Sequence, residues 1–120
     1  MITALIVDDS ELLRRRLYES LSRIRDDLEI FEASTGKEAL EQFSSEKQNT
    51  VILDISLPDI SGIEVLKEIK KSDPSARVII LTNYPSPEFR DRCINQGADY
   101  FFEKHSDYGN ILELFKNNFT

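Results

Sequence analysis

The sequence has a single cysteine, Cys93, so no disulfide can form within the chain and a reducing compartment is permitted. Its only histidine is His105. With no His or Cys at ligand spacing, oxygen is the one metal donor present in number. Apolar runs are short. The N-terminal stretch MITALIVDDSELLRRR has no basic n-region and meets acids after seven residues, so it reads as neither a signal peptide nor a membrane span. Basic residues are outnumbered, 15 Lys and Arg against 22 Asp and Glu, giving a formal net charge of -7. That balance argues against nucleic-acid binding by the domain as a whole. It suits a protein partner or a cation held by acids. The basic run Arg14-Arg15-Arg16 is expected to be a solvated helix face. No glycine-rich phosphate loop follows the first apolar run, where DDSELLRR stands instead. Internal repeats, low-complexity tracts and linkers are also missing.

What is present is a 120-residue chain, 40% hydrophobic and 31% charged, which fits one soluble globular domain. Short apolar runs at 4–7, 29–33, 50–53, 77–81 and 100–102 predict strands. Four of them are apolar on both alternating faces, as strands buried on both sides of a parallel sheet are. The second, EIFEA, has acids at alternate positions and reads as an edge strand. Helical stripes fill the intervals: Leu13, Leu17, Leu21 and Ile24 within 11–25; Ala39, Leu40 and Phe43 within 36–44; Val65, Leu66 and Ile69 within 62–72. Phe89 and Cys93 share a face within 87–96, and Ile111, Phe115 and Phe119 within 108–119. Thr35 to Glu38 and Ser61 to Glu64 match capping boxes, Ser86-Pro87 offers a helix start, and Gly97 a helix stop. Strict β–α alternation over five units predicts an α/β sandwich with a parallel sheet and right-handed crossovers. One domain over 1–120 is expected, with no output domain following it.

In an open α/β sheet, ligands sit beyond the carboxyl ends of the strands. Here those ends carry Asp8-Asp9, Asp54, Thr82 and Lys104. Three carboxylates gathered together repel and call for a cation, and an oxygen donor set favours Mg²⁺ before Ca²⁺ or Zn²⁺. A carboxylate beside such an ion can attack phosphorus and form an aspartyl-phosphate. Thr82 offers a hydroxyl and Lys104 a point charge. Each residue taken singly has a plainer reading: Asp8, Asp9 and Ser10 could cap the first helix, Asp54 could open an Asx turn, Thr82 could satisfy backbone and Lys104 could be solvated. The coincidence of four successive strand ends tips the balance.

The chain resembles the receiver domain of two-component response regulators over essentially its whole length. The resemblance rests on Asp8-Asp9 after strand one, on Asp54, Leu57, Pro58 and Gly62 in an Asp-x-x-Leu-Pro-x-x-x-Gly stretch, on Thr82 after strand four, and on Gly97-Ala98-Asp99 followed by Phe101 and Lys104. It implies a flavodoxin-like fold with a five-stranded parallel sheet in the order 2-1-3-4-5, two helices on one face and three on the other. It also implies roles. Asp54 would be the phosphoacceptor, served by a sensor histidine kinase. Asp9, Asp54 and the carbonyl of Ser56 would hold Mg²⁺, with Asp8 acting mainly through water. Thr82 and Lys104 would contact the phosphoryl group. Phe101 would follow Thr82 as a switch, altering the face of the fourth helix, fifth strand and fifth helix. That face, with Phe89 and Cys93 on it, would meet a downstream protein or an output domain, and phosphorylation could drive dimerisation. A cytoplasmic signalling domain is expected rather than a turnover enzyme, its catalysis limited to its own phosphorylation and dephosphorylation.

Three positions depart from the family pattern. Phe101 lacks the hydroxyl of the usual Tyr, Asn83 stands where a small residue is common, and His105 replaces the usual proline, so a trans Lys104–His105 bond or a compensated loop is expected. Rival readings are a haloacid-dehalogenase-like phosphatase, a receiver-like module that no longer takes phosphate, and a nucleotide-binding flavodoxin-like domain. The first needs an acid where Ser56 stands, and the third needs the missing phosphate loop.

Overall fold

The computed structural model describes residues 2–117. Phe119, placed by periodicity on the stripe of the last helix, lies outside the described residues. Elements alternate strictly: β1 (Ile2–Val7), α1 (Glu11–Ile24), β2 (Leu28–Ala33), α2 (Gly36–Glu46), β3 (Thr50–Asp54), α3 (Gly62–Ser72), β4 (Arg77–Thr82), α4 (Pro87–Asn95), β5 (Tyr100–Glu103) and α5 (Tyr108–Asn117). The five strands pair in parallel in the order β2-β1-β3-β4-β5. EIFEA therefore lies at an edge, as its acids suggested.

Alternation along the strands sorts the core into two layers. Leu5, Val7, Val51, Leu53, Val78 and Ile80 point to one face, where they meet Ala39 and Phe43 of α2, Val65, Leu66 and Ile69 of α3, and Cys93 of α4. Ala4, Ile6, Ile52, Ile79 and Leu81 point to the other, against Leu17 and Leu21 of α1 and Ile111 and Phe115 of α5. Three helices thus cover one face and two the other. A strand covered on both faces needs a continuous apolar run, and every residue of β3 is buried.

Local signals set the element ends. Thr35 Oγ1 accepts the Glu38 N–H at 3.0 Å, but the Glu38 carboxylate reaches the Ser34 N–H, one residue before the cap. Ser61 Oγ accepts the Ile63 N–H at 3.1 Å, while Glu64 pairs with Lys67. These boxes cap their helices without the full reciprocal bond. Ser86 accepts from Phe89 N–H, with Pro87 in the first turn. After α4, Gly97 takes φ +101°, a backbone conformation that side-chain-bearing residues rarely adopt. Asp99 then fastens the start of β5, accepting the Val78 N–H at 2.8 Å and the Lys70 ammonium at 2.9 Å. Cys93 is fully buried in the three-helix layer, so it belongs to the core and not to the exposed part of the α4 face.

Candidate functional site

Strand register assembles the site. Val7 lies beside Leu53, so Asp8 and Asp54 leave adjacent strand ends. Asp54 lies beside Leu81, and Thr82 beside Glu103, so Thr82 and Lys104 extend the same edge. The Ile55 N–H continues the ladder by donating to the Leu81 carbonyl, and the Lys104 N–H donates to the Thr82 carbonyl. Four residues that are far apart in sequence therefore share one edge. Lys104 Nζ sits 2.8 Å from Asp8 Oδ2 and 3.2 Å from Asp54 Oδ2. Asp54 Oδ1 accepts the Ser56 N–H at 3.0 Å, and Asp8 Oδ1 accepts the Ser10 N–H at 2.8 Å. Thr82 Oγ1 accepts the Tyr84 N–H at 3.0 Å, which leaves its hydroxyl proton free to donate. Asp8, Asp54 and Thr82 are no more than 2% exposed, while Asp9 and Ser56 lie open at the mouth.

The electrostatics are unbalanced toward negative charge. Burial pushes the Asp54 carboxyl above the usual carboxylate range; the Ser56 N–H offsets part of this, Asp8 adds to it, and Lys104 opposes it. Burial alone would depress the Lys104 ammonium, but Asp8 and Asp54 outweigh it and hold the group above its ordinary value. One ammonium cannot neutralise two buried carboxylates and the exposed Asp9. Oxygens of Asp8, Asp9 and Asp54 lie within 4.8 Å of one another. Asp8 Oδ2 meets the ammonium as an ion pair without a well-angled hydrogen bond, so it retains acceptor capacity. An all-oxygen, net-negative cluster fits a hard divalent cation.

The sequence matches the response regulator receiver domain over residues 4–116. The chain belongs to that family. It is 34% identical over 112 residues to sporulation initiation phosphotransferase F of Bacillus subtilis, covering 93% of this chain and 89% of that one. It is 31% identical over 109 residues to chemotaxis protein CheY of Thermotoga maritima, covering 91% and 90%. A crystal structure of a Burkholderia pseudomallei response regulator with a phosphorylated aspartic acid and a calcium ion superimposes with a TM-score of 0.86, at 26% identity over 98% of this chain and 68% of that one. Other relatives are longer: the chain spans 27% of a cyclic di-GMP phosphodiesterase of Thermotoga maritima and 57% of the response regulator protein VraR of Staphylococcus saprophyticus. Receivers are the phosphoacceptor signalling domains of two-component systems, and this chain is one of them.

Of the receiver's three departures, the one at His105 finds local compensation. All described peptide bonds are trans, Lys104–His105 included. The turn is held by Glu103, whose Oε1 accepts from the N–H groups of His105 and Ser106 and from the Ser106 hydroxyl, at 3.0, 2.6 and 2.8 Å. Asp107 closes it by accepting the Glu103 N–H at 2.8 Å. Asn83 is exposed and lines a cleft with Ser10, Arg16, His105 and Tyr108, beside the ammonium. Phe101 is half-buried against the three-helix layer. It lies beside Ile80, so it projects to the same sheet face as Thr82, two residues further along β4.

Three contributors escaped the sequence reading. Arg14 is not solvated: its side chain is 16% exposed, donates to the Asp8 carbonyl at 2.7 Å and pairs with Glu32 at 3.0 Å. Arg15 does lie open, and Arg16 stacks its guanidinium 5.1 Å from the Tyr108 ring centre. Arg14 sits one turn into α1, close enough to reach back to the acidic pair, and that spacing was the available signal. Glu103 and Asp59 are the other two. Glu103 had the signal of an acid three residues before Ser106, the pattern of an Asx-like turn. Asp59 acts across the fold, and nothing local announced it.

Proposed function

We propose that Asp54 is the phosphoacceptor of this receiver and that a histidine kinase supplies the phosphoryl group. The observation that carries this reading is Asp54 itself, a buried carboxylate at the end of the central strand with an ammonium 3.2 Å away and two further acids beside it. In the transfer, an Asp54 oxygen bonds to phosphorus as the phosphorus–nitrogen bond of phosphohistidine breaks and imidazole leaves with the electron pair. Asp9, Asp54 and the Ser56 carbonyl, with Asp8 beside them, would hold Mg²⁺, whose charge draws in the phosphoryl oxygens. Lys104 pairs with the added charge, and Thr82 donates its free hydroxyl proton to a phosphoryl oxygen. The same groups would serve hydrolysis of the acyl phosphate, so the domain's catalysis acts on itself. A phosphorylated aspartate in a structural relative supports the assignment.

Movement of Thr82 toward the phosphoryl group opens space on the sheet face it shares with Phe101. Phe101 also lines a cleft with Pro85, Pro87, Arg90 and Glu103, between the start of α4 and the β5–α5 turn. We read this face as the one whose shape reports phosphorylation to a downstream protein, an output domain or a second copy. Among the described residues no helix is long and apolar enough to cross a membrane, which accords with a cytoplasmic setting. The test is to treat the chain with a small acyl-phosphate donor and Mg²⁺ and to measure intact mass. One labile phosphoryl group is expected in the wild type and none in Asp54→Ala. A folded wild type that binds Mg²⁺ yet gains no mass would sink the reading, and equal gain in the variant would move the site elsewhere.

A further inference from the structure

The β3–α3 loop, residues 55–61, carries the Ser56 carbonyl and begins at Asp54. Its far end is tied down by backbone: the Gly62 N–H donates to the Ile55 carbonyl at 3.0 Å. Its middle is tied down by another element altogether. Asp59 Oδ1 accepts the Gly36 N–H at 2.8 Å, and Asp59 Oδ2 accepts the Lys37 N–H at 2.9 Å. Both donors are free N–H groups of the first turn of α2. One carboxylate thus uses both oxygens on the positive end of a helix from a different βα unit. The next residue reinforces the joint. Ile60 packs so closely on Gly36 that a Cβ there would collide with its Cγ1. Helix α2 does not need Asp59 as its own cap, because Thr35 already accepts the Glu38 N–H.

From this geometry we infer that Asp59 is a positioning residue, clamping the β3–α3 loop to the α2 N-terminus and thereby holding the Ser56 carbonyl and Asp54 in the arrangement that binds Mg²⁺. The inference rests on the reading of Asp8, Asp9, Asp54 and Ser56 as the Mg²⁺ site. Asp59 touches neither ion nor phosphate. It acts through the two residues between it and Ser56, Leu57 and Pro58. The joint also couples the site to α2, so displacement of α2 by a partner loosens the loop.

The test separates the clamp from ordinary helix stability. Asp59→Ala removes the clamp, whereas Thr35→Ala removes a cap of the same helix without touching the loop. Asp59→Asn keeps one acceptor oxygen and therefore one of the two bonds. Calorimetric titration with Mg²⁺ and urea unfolding are run on all three and on wild type. Asp59→Ala is expected to weaken Mg²⁺ binding about tenfold, the low end of what outer partners of metal ligands contribute. Asp59→Asn should fall between it and wild type, and Thr35→Ala should lose stability with Mg²⁺ affinity unchanged. Amide exchange should quicken across 55–61 in Asp59→Ala and not in Thr35→Ala. Equal Mg²⁺ affinity in Asp59→Ala and wild type overturns the clamp and leaves the site reading standing. A parallel loss in both alanine variants overturns it too, since the effect would then be helix stability. A wild type that binds no Mg²⁺ overturns both.

Discussion

At the scale of single residues, the edge of the sheet is an arrangement of unequal charges, and the inequality predicts opposite results for two neighbouring substitutions. Lys104 is the one ammonium between Asp8 and Asp54, with its side chain 10% exposed. Lys104→Met leaves two buried carboxylates facing each other. It should destabilise the metal-free domain by about 3 kcal/mol, the scale for removing one partner of a buried ion pair. Asp54→Asn is different. Burial and Asp8 already penalise the Asp54 charge, and Lys104 keeps its pair with Asp8. The metal-free variant should therefore be more stable than the wild type. Mg²⁺ should stabilise the wild type and not this variant. Urea unfolding with and without Mg²⁺ reads both. A destabilised metal-free Asp54→Asn would mean that the carboxylate is a net structural asset and that the site has no charge excess to relieve.

At the scale of elements, hydrophobic periodicity located all five strands and five helices, and the polar residues after the third and fourth apolar runs, Asp54 and Thr82, close their strands as the sequence reading had them. The apolar runs themselves stop at Leu53, Leu81 and Phe102, and the strands continue one residue further, to Asp54, Thr82 and Glu103. An apolar run stops at the first polar residue, whereas the hydrogen-bond ladder does not distinguish side chains. The ladder's last rung is therefore where the functional residues sit. Asp8, Asp54, Thr82 and Lys104 were legible because topology alone brings strand ends together. Arg14, Asp59 and Glu103 were not, since each reaches backbone groups whose position depends on the folded turn or on another element. Gly62 was legible as part of a motif, and the structure supplies its reason. A Cβ there would stand 2.5 Å from the Asp54 carbonyl oxygen and from Ile55 Cα, both backbone atoms. Gly62→Ala must shift the loop that leaves Asp54. It should cost about 1–3 kcal/mol, the range for overpacked sites, and should weaken Mg²⁺ binding as well. Unchanged Mg²⁺ affinity at lowered stability would show that α3 moves and the loop does not.

At the scale of the whole molecule, a chain of formal net charge -7 keeps its acids useful by giving them donors. Four carboxylates outside the site are held below the usual range. Asp27 is lowered by the Arg25 guanidinium, Asp59 by the Lys37 and Gly36 N–H groups, Asp73 by the Ser75 hydroxyl and N–H, and Glu103 by the Ser106 N–H and hydroxyl. In each case the folded state binds its proton less readily than the unfolded state. Stability from these groups is fully present above the unfolded value, about pH 4 for carboxylates. It is lost as pH falls through the lower folded values, because the unfolded chain then binds more protons. Thermal or urea unfolding should therefore show their contribution flat from neutral pH to about pH 5 and falling below about pH 4. All four groups lie at the surface, Asp27 and Asp59 exposed and Asp73 and Glu103 half-buried, so each contribution is modest and their sum sets the slope. In a chain carrying Asp73→Asn and Glu103→Gln together, the acceptor oxygens remain and the titrations are gone, so the acid loss should be shallower. An acid limb as steep as that of the wild type would place the proton uptake elsewhere in the molecule.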